Sequence, residues 1–469
     1  MNVHAVDLTI VALYLVGMIA AGWWISARVK KFADFFVAGR ALTAPVLICS
    51  IVSSYYGLDV LFGDAGDAAR EGVSVYFTYM RPYTLAMLAA AFLIAGRFRD
   101  RNFMSLPDIL AHYYGRASQV AGAVASFFYA LPILAIMGMA AMGQVLFGLP
   151  PWAGALIGTG IAVLYTSMGG FWADTVTDTV QFTIMCVSLA VAVPFALSWA
   201  GGFDGIRATL GDGHFKPLGT APPLYTLSYA LTALSVLVEP AFYQRIFAAR
   251  DARTVRRAFL WGMVLWAAYD WCVVTMGMCG AVLVPGTEAD QMMLKVSLLV
   301  LPVGLSGLFL GGCLATAMST IDSYLLIAAG NLVYDIGRRV PDDRAMIRRT
   351  RIAMVASGAV CIVMALLFDR IKEAWSFMAT LLTCTVMVPI LGALFLRRWA
   401  TPAAGAGASV AGLAVSIAFY VTMAIAGREN AELETTQIVV GGATILQEYC
   451  IYFALPASGL GFLLFARRT

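Results

Sequence analysis

Long apolar runs separated by short polar segments make up almost the whole chain. Each run is about 20 residues long, which is enough for an α-helix to cross the roughly 30 Å hydrocarbon layer of a membrane. The pattern therefore predicts an all-α polytopic membrane protein. The thirteen predicted spans are residues 5–27, 44–66, 73–96, 118–147, 151–168, 174–200, 223–247, 256–284, 303–334, 348–368, 374–397, 403–426 and 444–466.

The composition agrees with a chain that lies in lipid. Hydrophobic residues make up 61% of the 469 positions and charged residues only 12%, with a mean hydropathy of +0.82, whereas a soluble domain carries about 25% charged residues. The longest predicted loop, 201–222, is too short for a soluble domain, so residues 1–469 are expected to form one transmembrane domain. No basic segment precedes residues 5–27, which predicts a retained helix and not a cleaved signal.

The residues that could carry chemistry do not form the patterns of an enzyme. The eight cysteines lie in or beside apolar runs without a Cys-x-x-Cys pair, which disfavours a disulfide framework or a zinc site. His4, His112 and His214 lie outside the predicted spans, which argues against haem or metal chemistry within the membrane. Because neither His-Glu-x-x-His nor Gly-x-Ser-x-Gly occurs, we expect no enzyme and no organic cofactor. A transporter-like sensor is the weaker alternative, since no signalling domain is predicted.

Basic residues are distributed unequally between the two sides of the predicted membrane. Most of the 31 Lys and Arg residues fall on one side, and Arg245 is counted among them. By the positive-inside rule that side is cytoplasmic. The N-terminus is therefore predicted to lie outside and the C-terminus in the cytoplasm, with the plasma membrane of a bacterium (its inner membrane) as the expected location.

Several ionisable residues remain inside the predicted spans. An intramembrane charge costs about 2.5–3.5 kcal/mol on insertion scales, so it usually marks an ion or solute path. The alternative is a structural ion pair, as Arg81 could form with Glu71 or Asp67. The six ionisable residues are Asp59, Arg81, Asp178, Glu239, Asp270 and Asp322.

Two spans carry interruptions that a regular membrane helix would avoid. The second contains Gly57, Gly63 and Gly66, and the seventh contains Pro240, which removes a backbone donor in mid-helix. Unwound backbone at membrane depth is tolerated where it lines a cavity. Matching interruptions in two halves of a chain point to a transport site between them.

The spans can be grouped into two halves of similar length. The halves are predicted at residues 44–200 and 223–397, with five helices each, so the second would be inverted relative to the first. Residues 5–27 would be an extra N-terminal helix. Residues 403–466 would form two further helices at the C-terminus.

The segment STIDSYLL, residues 319–326, places two hydroxyls and a carboxylate in an apolar stretch. On a helix Thr316, Ser319 and Thr320 share one face, and Asp322 follows one turn after Ser319. A group of oxygen ligands alone suits Na⁺ and not a transition metal. The alternative is that the hydroxyls bond back to carbonyls of their own helix.

Several segments resemble the sodium:solute symporter family, which includes bacterial carriers of proline, pantothenate, sialic acid and galactose. The most specific is YTSMGGFWADTVTDTVQ, residues 165–181. The residues that match the family signature there are Tyr165, Gly169, Gly170, Thr177, Asp178 and Gln181. The other similar segments, in the family's order, are DFFVAGR (34–40), GDAG (63–66), FYQRIFAARD (242–251) and AMSTIDS (317–323).

The resemblance implies a LeuT-type core of five plus five helices and a Na⁺ ion between the first and eighth core helices. Asp178 matches a carboxylate that serves a second ion site in relatives, and Asp322 stands where some members supply a hydroxyl. The pair could therefore hold a second Na⁺ or a proton. The implied ligands of the first ion are the carbonyls of Ser53, Tyr56 and Thr316 and the hydroxyls of Ser319 and Thr320.

Two positions depart from the family pattern. Thr316 stands where relatives commonly have alanine, which is harmless if only its carbonyl binds the ion. Tyr55 stands where proline carriers have an aspartate, which weakens a proline assignment.

Together these features predict a secondary active transporter that takes up a small organic solute with one or two Na⁺ ions by alternating access. H⁺-coupled symport on the same fold is the main alternative. Acids and aromatic rings near the site suit an amine or a polyhydroxyl solute, whereas Arg81 would suit a carboxylate if it faced the cavity. The lipid bilayer is the other expected partner; neither nucleic acid nor an obligate protein partner is expected. The candidate solute-binding residues are Tyr56, Gly57, Asp59, Tyr83, Phe128, Tyr129 and Glu239.

Overall fold

The computed structural model of the chain is largely helical. It describes residues 4–26, 31–101, 103–219, 222–337, 340–368, 370–430 and 435–467. The helices of the first half are α1 (Ala5–Ser26), α2 (Phe32–Val37), α3 (Ala44–Tyr55), α4 (Ala65–Glu71), α5 (Arg81–Leu93), α6 (Ala95–Phe98), α7 (Leu106–Tyr114), α8 (Arg116–Tyr129), α9 (Ile133–Phe147), α10 (Pro151–Trp199) and α11 (Gly202–Leu210).

The second half continues the same architecture and adds a small sheet. Its helices are α12 (Pro223–Thr232), α13 (Pro240–Ala248), α14 (Ala252–Leu283), α15 (Ala289–Val300), α16 (Leu305–Gly330), α17 (Asp343–Ala365), α18 (Ile371–Leu382), α19 (Val388–Phe395), α20 (Pro402–Ala426) and α21 (Cys450–Phe465). The antiparallel strands are β1 (Arg428–Asn430), β2 (Thr435–Val440) and β3 (Ala443–Leu446).

The prediction of a polytopic helical membrane protein is confirmed. Within the described ranges, ten helices are long and apolar enough to cross a membrane, or eleven if one sharply bent pair counts as a single span. Two predicted spans fall short of that standard. Pro151–Leu164 is a shorter apolar helix, and the first turns of α17 carry several arginines.

The second predicted span is broken, as its glycines indicated. Helix α3 ends at Tyr55, and the chain turns through Tyr56–Leu58 before π-helical turns over Asp59–Asp64 lead into α4. The two arms meet at 57°. A side chain at Gly57 would collide with the carboxylate of Asp59 and lie 3.2 Å from the Thr320 hydroxyl. The break therefore brings main chain directly against α16.

The seventh span is broken at Pro240, as predicted. After α12 the chain continues in tight 3₁₀ turns over Ala233–Val238, and Glu239 then adopts an extended conformation with φ −68° and ψ 122°. Because proline at the first turn of a helix needs no backbone donor, Pro240 starts α13. The break leaves the Glu239 side chain inside the fold, where it is fully buried.

The fifth and sixth predicted spans, 151–168 and 174–200, form one helical rod, α10, with a kink at Gly170. Gly170 has φ +59° and ψ −160°. A Cβ there would lie 2.5 Å from both the carbonyl oxygen and a ring carbon of Phe35. Only glycine fits this backbone conformation and this close approach.

Replacing Gly170 with alanine is expected to lower the melting temperature of the detergent-solubilised protein by several degrees. The substitution combines an unfavourable φ with a steric clash against α2, and strain of this kind costs about 1–3 kcal/mol. The control is Gly160→Ala in the same helix, where an added methyl meets nothing within 4 Å. Equal melting temperatures for the two variants would contradict the assigned role of the kink.

The sheet was not predicted. The thirteenth predicted span, 444–466, begins in strand β3, and its helix starts only after that strand. The segment before it contains β-branched residues on either side of Gly441 and Gly442, which both have positive φ and form a two-residue hairpin turn of the kind that Gly-Gly favours.

Candidate ion and solute site

The face of α16 that carries the hydroxyls contacts the end of α3 at the break. The Ser319 hydroxyl lies 2.8 Å from the carbonyl oxygen of Ser53 and 3.1 Å from that of Thr316. The Thr320 hydroxyl lies 3.4 Å from the carbonyl oxygen of Ser54 and 3.1 Å from that of Thr316. Carbonyl and hydroxyl oxygens from two helices therefore converge at one place.

The hydroxyls can be interpreted either as Na⁺ ligands or as groups bonded back to their own helix, and each interpretation describes part of this geometry. The Thr316 hydroxyl donates back to the carbonyl of Gly312 in its own helix, at 2.9 Å. Ser319 is fully buried and reaches across to the other helix. Tyr56 lies at the break itself, and its hydroxyl donates to the carbonyl of Trp266 at 3.0 Å.

A second polar cluster lies beside the first, between α10, α16 and α13. Asp174, Asp178 and Asp322 are all fully or almost fully buried, and each has one carboxyl oxygen without a hydrogen-bond partner. Asp174 accepts a bond of 2.6 Å from the Ser323 hydroxyl. Asp322 accepts one from Thr166. Three acids buried together repel one another and need compensation.

Arg245 supplies part of that compensation and corrects the sequence interpretation. The sequence places Arg245 among the cytoplasmic loop residues, but it is fully buried within α13. Its guanidinium donates to the hydroxyls of Ser54 and Ser323 and offsets the charges of Asp174 and Asp178 electrostatically. The reason is that α13 packs against α3 and α16, so an arginine near the end of an apolar run lies within the protein.

The predicted pair of Asp178 and Asp322 is therefore part of a larger group. No set of three acidic, histidine or cysteine side chains in the described part of the chain is arranged to hold a metal ion by itself. Any ion bound here would also need the hydroxyls and carbonyls that surround the acids. Asp322 receives little help from Arg245, since its hydrogen bond comes from Thr166 on α10.

A central cavity opens next to the break, with about 800 Å³ of empty space including its open mouth. The polar lining consists of carboxylates, hydroxyls and ring edges. The acids, the hydroxyl residue and the aromatic residues of this lining include Asp59, Asp64, Asp270, Thr320, Tyr79, Tyr83, Tyr129, Tyr324, Trp266 and Trp375.

The cavity includes some of the predicted solute-binding residues and leaves out others. Tyr56, Asp59, Tyr83 and Tyr129 line it, whereas Gly57, Phe128 and Glu239 do not. Phe128 packs edge-on against Phe127 with 5.5 Å between ring centroids, and the next residue, Tyr129, lines the cavity in its place.

Glu239 acts from behind the cavity wall. It accepts a hydrogen bond of 2.6 Å from the Tyr83 hydroxyl and another from Tyr324. Both tyrosines line the cavity. The buried carboxylate thus fixes the orientation of two aromatic side chains without touching the empty space.

Arg81 does not form the ion pair with Glu71 or Asp67 that the sequence offers as an alternative. It forms an ion pair with Asp270 on α14, and its guanidinium lies 4.4 Å from the centroid of the Tyr76 ring. The cavity does not include Arg81 in its lining. Asp270 therefore reaches the cavity with its charge already offset.

A smaller cavity connects the central cavity to a vestibule on the face that carries the β-sheet. The smaller cavity shares the lining residues Asp64 and Trp375 with the central cavity. It shares Tyr229 and Lys372 with the vestibule. The Lys372 ammonium bonds Asp67 at 2.9 Å and lies 4.4 Å from the Tyr229 ring centroid. This cation stands between the two spaces.

The vestibule itself is acidic. Asp290 in α15 accepts a bond of 3.3 Å from the backbone N–H of Ile371, and burial raises the pKa of Asp290 to about 6. Acidification below that value removes one negative charge from the vestibule.

The opposite, arginine-rich face is closed by main-chain contacts. Leu42, just before α3, forms a parallel bridge with Ala249, just after α13. The backbone N–H of Leu42 donates to Ala248 at 3.1 Å, and that of Arg250 donates to Leu42 at 3.0 Å. Arg99 caps the same junction by donating to the carbonyls of Ala249 and Arg250.

Several residues of the site were not predicted. Asp174 lies one helical turn before Asp178 inside the family-like signature, so the i, i+4 spacing was a usable signal. Asp64 lies in GDAG but outside the strongly apolar part of its span. Tyr79, Tyr324 and Trp375 come from three separate helices, and no pattern in the sequence shows that they meet.

Comparisons with known proteins identify a family and several relatives. The model of the sodium:solute symporter family matches residues 35–412. The chain is 24% identical to the human high affinity choline transporter 1, over 87% of this chain and 76% of that protein. It is 25% identical to the sodium/pantothenate symporter of Escherichia coli, over 73% of each. It is 23% identical to the osmoregulated proline transporter OpuE of Bacillus subtilis, over 78% of this chain and 79% of that protein.

Solved structures show the same fold. A Na⁺-coupled sialic acid symporter in a substrate-bound outward-open state superposes with a TM-score of 0.79 at 15% identity, covering 99% of both chains. The transporter MhsT in complex with L-phenylalanine gives a TM-score of 0.52 at 15% identity, covering 89% of this chain and 97% of the other.

Proposed function

The chain belongs to the sodium:solute symporter family, and from that premise we propose that it takes up a small organic solute together with Na⁺ by alternating access. The family and its relatives are solute transporters and not enzymes. The observation that carries the proposal is the convergence of the Ser319 hydroxyl with the carbonyls of Ser53 and Thr316, at 2.8 and 3.1 Å.

The ion would link two helices that have to move relative to each other. Na⁺ at this place would take the carbonyls released by the break after α3 and the hydroxyls of α16, which are the hard oxygen ligands it prefers. The proposed ligands are the carbonyls of Ser53, Tyr56 and Thr316 and the hydroxyls of Ser319 and Thr320. Binding would stabilise the broken helix in one position and thus favour solute binding in the adjoining cavity.

The buried acids would provide a second coupling site. Asp178 and Asp322, with Asp174 as a third member, carry more negative charge than Arg245 offsets. Such a group is costly to keep ionised unless a cation binds. A second Na⁺ or a proton would offset this negative charge. The buried acids are therefore the observation that supports H⁺-coupled symport as the alternative.

The predicted topology becomes part of the proposal. Thirteen spans would place the N-terminus outside and the C-terminus in the cytoplasm, within a bacterial inner membrane. Residues 44–200 and 223–397 would form the two inverted repeats of a LeuT-type core, flanked by 5–27 and by 403–466. The burial of Arg245 leaves the bias of basic loop residues in place.

On this proposed topology, the contacts would be those of a state open toward the outside. The vestibule and cavities lie on the proposed extracellular side, while the Leu42–Ala249 bridge closes the proposed cytoplasmic side. Transport would require the first side to close and the second to open. The membrane potential contributes about 2.3 kcal/mol per charge for each 100 mV.

The proposal is tested by uptake into proteoliposomes. Radiolabelled choline, proline, pantothenate and sialic acid, the solutes named for the relatives, are offered under an imposed Na⁺ gradient, an imposed H⁺ gradient, or neither. We expect at least one solute, from this panel or a wider one, to accumulate with Na⁺ alone. Accumulation that follows only the H⁺ gradient would favour the alternative, and binding of ²²Na⁺ to the purified protein gives an independent measure of the ion site.

A further inference from the structure

We propose that the solute carried by this protein is a small organic cation, an ammonium compound held in the central cavity by Asp59, Asp64 and the surrounding aromatic rings. This inference rests on the proposed function and specifies its solute class. It starts from the charge of the cavity lining, which includes carboxylates but, among the residues that the structure describes, no lysine, arginine or histidine.

Asp59 and Asp64 are free to meet a ligand. Both are partly exposed to the cavity, and within the described ranges neither carboxylate forms an ion pair or accepts a bond from another side chain, although Asp59 accepts backbone hydrogen bonds from its own residue and from Val60. Lys372 acts on Asp64 electrostatically, but its ammonium is bonded to Asp67. Two carboxylates in one cavity, neither of them bonded to a cationic side chain, favour a positively charged occupant.

The local backbone places the two acids on the same side. Residues five apart would diverge on an α-helix, but the turns over Asp59–Asp64 are π-helical, and i→i+5 hydrogen bonding brings such residues into line. π-Helical turns are found frequently at functional sites. The wider turn that follows the break thus presents a pair of carboxylates and not a single one.

Aromatic rings enclose the rest of the space. Tyr79 packs edge-on against Trp375 with 5.0 Å between ring centroids, and Tyr83 lies 6.3 Å from Trp266. Tyr129 and Tyr324 complete the wall. Ring faces attract a cation, most strongly when water is excluded, and several rings around one cavity are the usual recognition element for quaternary ammonium groups.

The arginines near the cavity are engaged elsewhere, which argues against a carboxylate solute. Arg81 is paired with Asp270. Arg245 lies behind the Tyr55 ring, 5.7 Å from its centroid, and bonds Ser54 and Ser323. An anion entering the cavity would meet negative charge without a partner, and such repulsion is a common basis of selectivity.

The test compares cations with uncharged molecules of the same shape. Choline and 3,3-dimethyl-1-butanol differ by one charge, and tetramethylammonium and ethanolamine extend the cation series in size and hydrogen bonding. Binding to the purified full-length protein is measured in saturating Na⁺ by the fluorescence of its tryptophans and by competition with radiolabelled choline. We expect a cation to bind at least about tenfold more tightly than its neutral counterpart.

Variants then assign the preference to the two acids. Asp59→Asn and Asp64→Asn keep the side-chain shape and are each expected to weaken cation binding about tenfold or more. Asp212→Asn removes a carboxylate that is 85% exposed and lies outside the cavity, so it should bind as the unmodified protein does.

Failure of the inference can be distinguished from failure of the proposed function. If ²²Na⁺ binds in a Ser319-dependent manner but no cation binds, or a neutral or anionic solute binds more tightly, the inference is overturned and Na⁺ coupling stands. If both acid variants bind the cations as well as the unmodified protein does, the inference is also overturned. If the unmodified protein binds no ²²Na⁺, or if Ser319→Ala binds it equally well, the proposed function itself is overturned.

Discussion

Ser319→Ala is expected to abolish Na⁺-driven solute uptake, or to raise the Na⁺ concentration that it requires by at least about tenfold. Ser319 supplies a fully buried hydroxyl of α16 that reaches the main-chain carbonyl of Ser53 in α3, and alanine cannot replace it as a ligand. The substitution removes one of the five oxygens that would replace the hydration shell of the ion. The measurement is initial uptake as a function of external Na⁺.

The matched control is Thr316→Ala, three residues earlier in the same helix. Its hydroxyl bonds back to Gly312, and its carbonyl, the proposed ligand, is retained in the variant. We expect Na⁺ dependence close to that of the unmodified protein. Equal Na⁺ dependence in Ser319→Ala and Thr316→Ala would contradict the proposed ion site, provided that both variants retain the melting temperature of the parent.

Arg245→Met is expected to destabilise the protein strongly. Removing one partner from a buried charge cluster costs about 3–5 kcal/mol, because the remaining charge is left uncompensated. Here the residues left behind are Asp174 and Asp178, which already repel each other. The variant should melt many degrees lower in detergent or fail to elute as a single species. Arg207→Met, at an exposed ion pair with Asp212, is the control and should be nearly neutral.

A second variant keeps this prediction testable if Arg245→Met does not fold. Asp174→Asn combined with Arg245→Met removes one charge of each sign and should recover a substantial part of the lost stability. A double variant no more stable than Arg245→Met alone would show that the arginine stabilises the fold through packing and not through charge. Melting curves of the unmodified protein, the two single variants and the double variant give the coupling free energy between Asp174 and Arg245, which separates charge from packing.

The contact between α3 and α16 could be expected from the sequence because local rules determine it. Ser319 and Thr320 share a helical face, and Gly57 marks the break in the partner helix. The resemblance then places the two segments together. Each step depends on spacing or on backbone freedom, which a linear sequence records.

The acid cluster shows where such reasoning ends. Arg245 follows an apolar run, as loop arginines do, and only the packing of α13 against α3 shows that it lies inside. Asp64 lies five residues after Asp59 and would face another side of an α-helix, whereas the observed π-helical turns place both residues in the cavity lining. Helix depth and local winding are set by tertiary packing and leave no periodic signal.

The bridge between Leu42 and Ala249 has a consequence for how the molecule can diversify. Its bonds join main-chain groups, so they are identical for almost any side chain at those positions. The main-chain contact that joins the two broken helices is therefore independent of the residues that determine which solute binds. Substitutions in the cavity can change the solute that is bound while this main-chain contact stays the same. A proline at position 42 or 250 would remove a backbone donor and break the contact.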